Sequence, residues 1–251
     1  MARVTQPGGK TPVRTAGETF RDGSVIELIR NASDPETLEL LLWDGHIVKA
    51  GPRVDHVGRE YAPVRIEPSV SRALCLPTRV APTETTRELF EATENLLTRY
   101  LDQPKPAITK LVSGVFASWL PEFLRLSPVL WIIAPVGSPK HVALQLLSLI
   151  CRRPLLLADV GRGDLRSLPM WLQPTLVLDE PVLRPAMQRT LYSSSHRGMN
   201  TPSGQRLLNL FGPKVVCSDA PPSYAPLESE ALRVVLVPVA GWLAPSGRRS
   251  A

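Results

Sequence analysis

The chain has 251 residues, 43% of them hydrophobic, and carries a net charge of +6 with an isoelectric point near 9.5. That apolar share is enough for a buried core, which excludes a disordered or low-complexity chain. The N-terminal residues lack the apolar stretch of a secretion signal and no run reaches the ~18 apolar residues of a membrane span, so a cytoplasmic protein without a membrane-embedded part is expected.

The positive balance points to an acidic partner, nucleic acid first and a membrane surface second. Its basic residues are nevertheless spread out, and clusters such as Arg152-Arg153 and Arg248-Arg249 are too short to define a binding stripe. Cys75, Cys151 and Cys217 are far apart and form no CxxC pair, which predicts reduced core thiols. His46, His56, His141 and His196 have no zinc-ligand spacing. Twenty-six prolines against sixteen glycines predict short elements with rigid connections.

In chain order, residues 1–18 have no hydrophobic periodicity and read as a flexible arm. Residues 19–80 read as a small antiparallel β unit: the runs at 24–29 and 37–43 are separated by a turn-rich link, and Asp44-Gly45 is a hairpin signal before Ile47-Val48. Residues 81–124 read as a helical pair. Thr85 and Glu88 have capping-box spacing, and Ile108, Leu111, Val112, Val115, Phe116 and Trp119 recur at three and four residues until Pro121. Such a pair buries its apolar stripe against its own domain.

Residues 125–241 alternate strand-like runs, at 129–134, 154–158, 174–178, 213–217 and 233–238, with helical or loop material. This predicts an α/β domain with a mostly parallel five-stranded sheet and flanking helices. Residues 242–251 read as a flexible tail.

The chemistry sits at the strand ends of that domain. The run Pro128–Ala134 is followed by Pro135-Val136-Gly137-Ser138-Pro139, then Lys140 and a helix-like stretch from His141 to Ile150. Some forty residues on, Leu176-Val177-Leu178 ends in Asp179-Glu180, and Lys214–Cys217 ends in Ser218-Asp219. A strand, a loop with a lysine, a helix and then an acid-ended strand is the layout of a phosphate-binding loop. Laid on G-x-x-x-x-G-K-[ST], only Lys140 is kept: Ala134 and Pro139 replace the glycines and His141 replaces the hydroxyl residue. Pro139 has no N–H to donate, and imidazole is a poor ligand for Mg²⁺. Gly137 and Ser138 still offer loop flexibility and a hydroxyl. The plain alternative is an ordinary strand-to-helix turn with a solvated Lys140. Ser193–Gly198 contains Arg197, readable as an arginine finger or as an exposed polar loop.

On these residues, positions 128–240 resemble the ATPase core of the P-loop superfamily branch that includes AAA+ and phage or plasmid helicase proteins. The resemblance implies strand order 5-1-4-3-2, ATP and Mg²⁺ as ligands, and a ring or dimer. It also implies roles: Lys140, Gly137, Ser138, His141 and Ser218 around the nucleotide, Asp179 on the metal, Glu180 as base and Arg197 reaching a neighbour. The expected function is a degenerate P-loop ATPase-like protein with weak or no hydrolysis, related to replication or mobile-element helicases. The alternative is a non-catalytic scaffold that keeps the fold and binds nucleic acid or protein. No Gly-x-Ser-x-Gly elbow supports an unrelated hydrolase.

Overall fold

The computed structural model describes residues 11–46, 48–81 and 85–238, and the chain divides after Ala81 into two compact units. The expected tail at 242–251, Ile47 of the expected hairpin and the first ten residues lie outside the described residues.

Among the described residues the first unit holds seven strands: β1 (Val13–Thr15), β2 (Gly17–Thr19), β3 (Val25–Arg30), β4 (Leu38–Trp43), β5 (Val48–Gly51), β6 (Val54–His56) and β7 (Arg59–Pro63). A short helix, α1 (Pro68–Ala73), follows them. β2-β3-β4-β5 form an antiparallel sheet, as their alternation suggests: Ile26 and Leu28 on β3 and Leu40 and Leu42 on β4 are buried. Asp44-Gly45 opens the β4–β5 turn, with Gly45 at φ +96°. β1-β7-β6 make a second sheet in which β1 and β7 run parallel, a pairing that no local sequence signal announces. The last part of the segment expected to be an arm is therefore in strands.

The second unit begins with α2 (Thr86–Leu101), where Thr85 Oγ1 accepts the Glu88 N–H at 3.1 Å, and α3 (Lys105–Trp119), whose first turn carries Pro106. Strands and helices then alternate: β8 (Val129–Ile133), α4 (Lys140–Ile150), β9 (Pro154–Ala158), α5 (Arg162–Ser167), β10 (Thr175–Asp179), α6 (Pro185–Ser193), the hairpin β11 (Asn200–Ser203) and β12 (Arg206–Asn209), β13 (Lys214–Ser218), α7 (Ala225–Glu230) and β14 (Leu232–Val235). The five long-range strands are all parallel, in the order β14-β8-β13-β10-β9. Counted along the chain this is 5-1-4-3-2, the order the resemblance implies.

The near-continuous apolar runs of the central strands β8, β10 and β13 follow from burial on both faces. Leu130, Ile132, Val177, Val215 and Val234 form one face and share a core with Leu97 and Leu101 of α2, Leu111 and Val115 of α3, and Leu144 and Leu147 of α4. The helical pair is thus part of the α/β core. Gly114 of α3 lies so close to β8 that a Cβ there would stand 2.8 Å from Leu130 Cδ2. Trp131, Leu176, Leu178 and Val216, one residue out of phase, are buried on the other face.

The connections fix which helices cover which face. The β8-to-β9 crossover runs in one direction across the sheet, and those from β9 to β10, β10 to β13 and β13 to β14 run in the other. Since such crossovers are right-handed, α4 lies on one face and α5, α6 and α7 on the opposite one. The direction reverses between the adjacent strands β8 and β13, so their carboxyl ends flank a topological switch point, where open α/β sheets bind ligands.

Some charged residues serve the interior. Arg152, buried, meets Glu122 at 2.6 Å, and Arg153, also buried, donates to the Leu172 carbonyl at 2.6 Å. Lys214 Nζ reaches three carbonyls, those of Ser194 (2.9 Å), Leu210 (3.3 Å) and Gly212 (2.7 Å). Burial pushes its ammonium down to about 7. Burial also raises the Cys151 and Cys217 thiols to about 12, as befits core cysteines, whereas Cys75 is exposed, contrary to expectation.

Candidate functional site

The switch point holds a cleft of about 340 Å³ lined by the loop from Ala134 to Pro139, the first residues of α4 and Asp219. The loop is a tight turn: Ser138 N–H bonds to Pro135 O at 3.0 Å with Gly137 at φ +85°, a conformation that glycine takes without strain. Its donors can be counted. Ala134 N–H bonds to Ser218 O at 2.9 Å, Ser138 N–H closes the turn, and Pro135 and Pro139 have none. Val136 and Gly137 remain, and at the helix start Lys140, His141 and Val142 precede the first residue, Ala143, whose N–H bonds back to Pro139 O. Five amides without a backbone partner therefore belong to residues that line a cleft at the positive end of an 11-residue helix, which has no acidic residue in its first turn.

Lys140 Nζ stands 2.5 Å from Asp179 Oδ1, joining the start of α4 to the end of β10, with both side chains about one-fifth to one-quarter exposed. The contact is an ion pair rather than an aligned hydrogen bond, because that buried oxygen has no properly directed donor. Partial burial pulls the Lys140 ammonium down, but the contact with Asp179 and its charge, with Asp219 adding to it, hold its pKa above that of an ordinary lysine. Lys140 is thus charged across the neutral range.

Of the residues expected at the site, Lys140, Gly137 and Ser138 line this cleft, while Asp179 lines a smaller adjoining one with Leu157 and meets the first through Lys140; His141, exposed, lines both. Ser218 reaches the rim, but its hydroxyl donates to Ala220 O at 2.6 Å; its neighbour Asp219 faces the cleft instead. Glu180 lines a different cleft, of about 410 Å³, beside Asp159, Arg162 and Arg184, where its Oε1 accepts the Val160 N–H at 2.5 Å. Arg197 is at the opposite, amino edge of the sheet. Its Nε donates to Leu124 O at 2.9 Å, a terminal nitrogen bonds to Pro121 O, and its guanidinium lies 4.6 Å over the Phe211 ring. The loop readable as exposed and polar is fastened there, with Ser194 and Ser195 buried while Arg197 itself stays exposed. Asp219 was the legible omission, since it follows directly on a strand beside the switch point. The Val160 amide left no trace in the sequence.

Among the described residues, no group of three or more His, Cys, Asp or Glu side chains is placed to hold a metal ion. Ser138 Oγ is buried without a hydrogen-bond partner, whereas Asp179 Oδ1 is in contact with Lys140 Nζ, so one hard oxygen donor is open to a ligand and a second is shared with the lysine. These suit a magnesium ion only if phosphate oxygens and water complete its shell. Among the described residues no helix is long and apolar enough to cross a membrane.

No protein-family model and no curated protein matches the chain. Among solved structures, it is similar to the A form apo structure of the NrS-1 C terminal region, at 12% identity and a TM-score of 0.35, over 77% of this chain and 54% of that one. A second structure of that region gives 13% identity and a TM-score of 0.35, over 84% and 57%. The chain spans little more than half the length of either. At that level of similarity the chemistry of the site has to come from this chain's own residues.

Proposed function

We propose that the second unit binds the phosphates of a nucleoside triphosphate or diphosphate at the switch-point cleft and hydrolyses it weakly or not at all, as a degenerate P-loop ATPase-like protein. The observation that carries this reading is the Lys140–Asp179 contact, which places a charged ammonium and a carboxylate together beside a helix N-terminus. Lys140 and the amides of Gly137, His141 and Val142 would take the phosphates; Ser138 and Asp179 would face a magnesium ion, which offsets phosphate charge when bound.

Three features argue for impaired turnover. Pro139 removes a donor from the loop, the Glu180 carboxylate is held by the Val160 amide in another cleft, and Arg197 is fastened at the far edge. A site built this way holds charge without placing a base over the attacking water. A relation to replication or mobile-element helicases, and assembly into a ring or dimer, belong to the same reading.

Thermal melting with Mg-ATP and Mg-ADP tests it. Ligand at tenfold its Kd stabilises the chain by about 1.4 kcal/mol, a rise of a few degrees for a unit of this size. The rise is expected in the native chain and absent in Lys140→Ala. No shift at millimolar nucleotide favours the second reading, a scaffold whose Lys140 is already neutralised by Asp179.

A further inference from the structure

A second cleft, of about 370 Å³, opens at the amino edge of the sheet, between the turn before β10 and the strand β12, far from the Lys140 rim. Its walls include Arg166, Trp171, Gln173, Leu207, Asn209 and Phe211. Trp171 is 55% exposed and Leu207 71%, so a large indole and an aliphatic side chain stand in solvent across from each other. Asn209 uses its Oδ1 on the Phe211 N–H at 3.0 Å, leaving its amide protons for another acceptor. Gln173 is held at φ +49°, an uncommon conformation for a residue with a side chain, and its side chain has no hydrogen-bond partner among the described residues.

Arginines lead away from this cleft. Arg162 and Arg166 are four residues apart on α5, hence on one face, where like charges repel unless an anion lies over them. Among the described residues neither has an ion-pair partner, and the intervening Asp164 turns to the Gly161 N–H at 2.8 Å. Arg162 also lines the cleft that holds Arg184. α5, about 9 Å long at 1.5 Å per residue, thus carries a basic row from the carboxyl edge of the sheet toward the indole at the amino edge.

We infer that this surface binds single-stranded nucleic acid, with Arg184, Arg162 and Arg166 on successive phosphates and an unpaired base on Trp171, its edge facing Gln173 and Asn209. Guanidinium groups match phosphate oxygens, an exposed aromatic face takes a base, and flanking amides supply donors and acceptors to its edge. The small cleft suits one splayed base and not the groove of a duplex. An acidic protein segment would satisfy the arginines but leave the indole and the amides without a role. This inference uses none of the residues assigned to nucleotide phosphates and stands or falls separately from that reading.

Fluorescence anisotropy of the full chain with labelled oligothymidylate, from about 50 mM to 200 mM salt, tests it. Binding is expected to weaken steeply with salt. Trp171→Ala should weaken it roughly tenfold, and Arg162→Ala with Arg166→Ala should lower the log–log salt slope by about 1.4, or 0.7 per phosphate contact. Arg87→Ala, which removes an exposed ion pair with Glu91 on α2, should leave it unchanged, and melting curves confirm that all variants fold. The inference is overturned if oligothymidylate does not bind at 50 mM salt, if the Trp171 and arginine variants bind as the native chain does, or if polyglutamate competes as well as the oligonucleotide.

Discussion

Glu180 Oε1 accepts the backbone N–H of Val160 at 2.5 Å, so the acid that follows Asp179 is bound to the loop after β9 while Asp179 itself meets Lys140. Two adjacent carboxylates at one strand end therefore serve different clefts, because successive side chains leave a strand in opposite directions. The expected consequence is that Mg-ATP turnover by the native chain lies at background and that Glu180→Gln, which keeps an acceptor for Val160, does not change it. A native turnover that collapses in Glu180→Gln, measured by phosphate release, contradicts this.

Arg197 has a structural task in this fold. Its guanidinium joins two carbonyls before β8 to the Phe211 ring before β13. Arg197→Ala removes hydrogen bonds and a cation–π contact from an exposed side chain, so a loss of about 1–2 kcal/mol in urea unfolding is expected, with nucleotide affinity unchanged. An intact stability with lost turnover would instead be the mark of an arginine finger.

Gly114→Ala gives a test of the packing between α3 and β8. Helix propensity alone favours alanine by about 1 kcal/mol, yet the new methyl would meet Leu130 Cδ2 at 2.8 Å in the core. Overpacking of this kind costs about 1–3 kcal/mol. The variant is expected to unfold at lower denaturant than the native chain, and a more stable variant would show that β8 and α3 are not in close contact.

Lys214 makes stability depend on pH. Its folded pKa, about 7, lies below the ordinary lysine value, so between the two the unfolded chain binds more protons and stability rises with pH. Below pH 7 both states are charged and the contribution is flat. Urea midpoints from pH 7 to 10 should climb in the native chain and climb less in Lys214→Met. Equal slopes would mean that the three carbonyls around Nζ keep the ammonium charged.

Much of the sheet was legible because its central strands, β8, β10 and β13, are buried on both faces. Continuous runs such as Val129–Ile133 and Thr175–Asp179 have no competing period, and their ends fall within a few residues of expectation. Lys140 and Asp179 could be paired from sequence because one opens the helix after a strand-like run and the other ends a second such run. What stayed hidden depends on tertiary contact. The parallel β1–β7 pair joins segments more than forty residues apart, Arg152 and Arg153 look like a surface cluster but are buried, and Ser193–Gly198 has loop composition yet is fixed by bonds to the segment before β8. Ser218 and Asp219 differ by one residue, and only the strand's end decides which of them faces the cleft.

The most direct test of the central claim is equilibrium binding of a labelled adenine nucleotide with Mg²⁺ to the native chain, to Lys140→Ala and to Asp179→Asn, by dialysis or calorimetry. Saturable binding by the native chain is predicted, at least tenfold weaker in Lys140→Ala and altered in its magnesium dependence in Asp179→Asn. Equal affinity in all three proteins, or no saturable binding by the native chain, would contradict it.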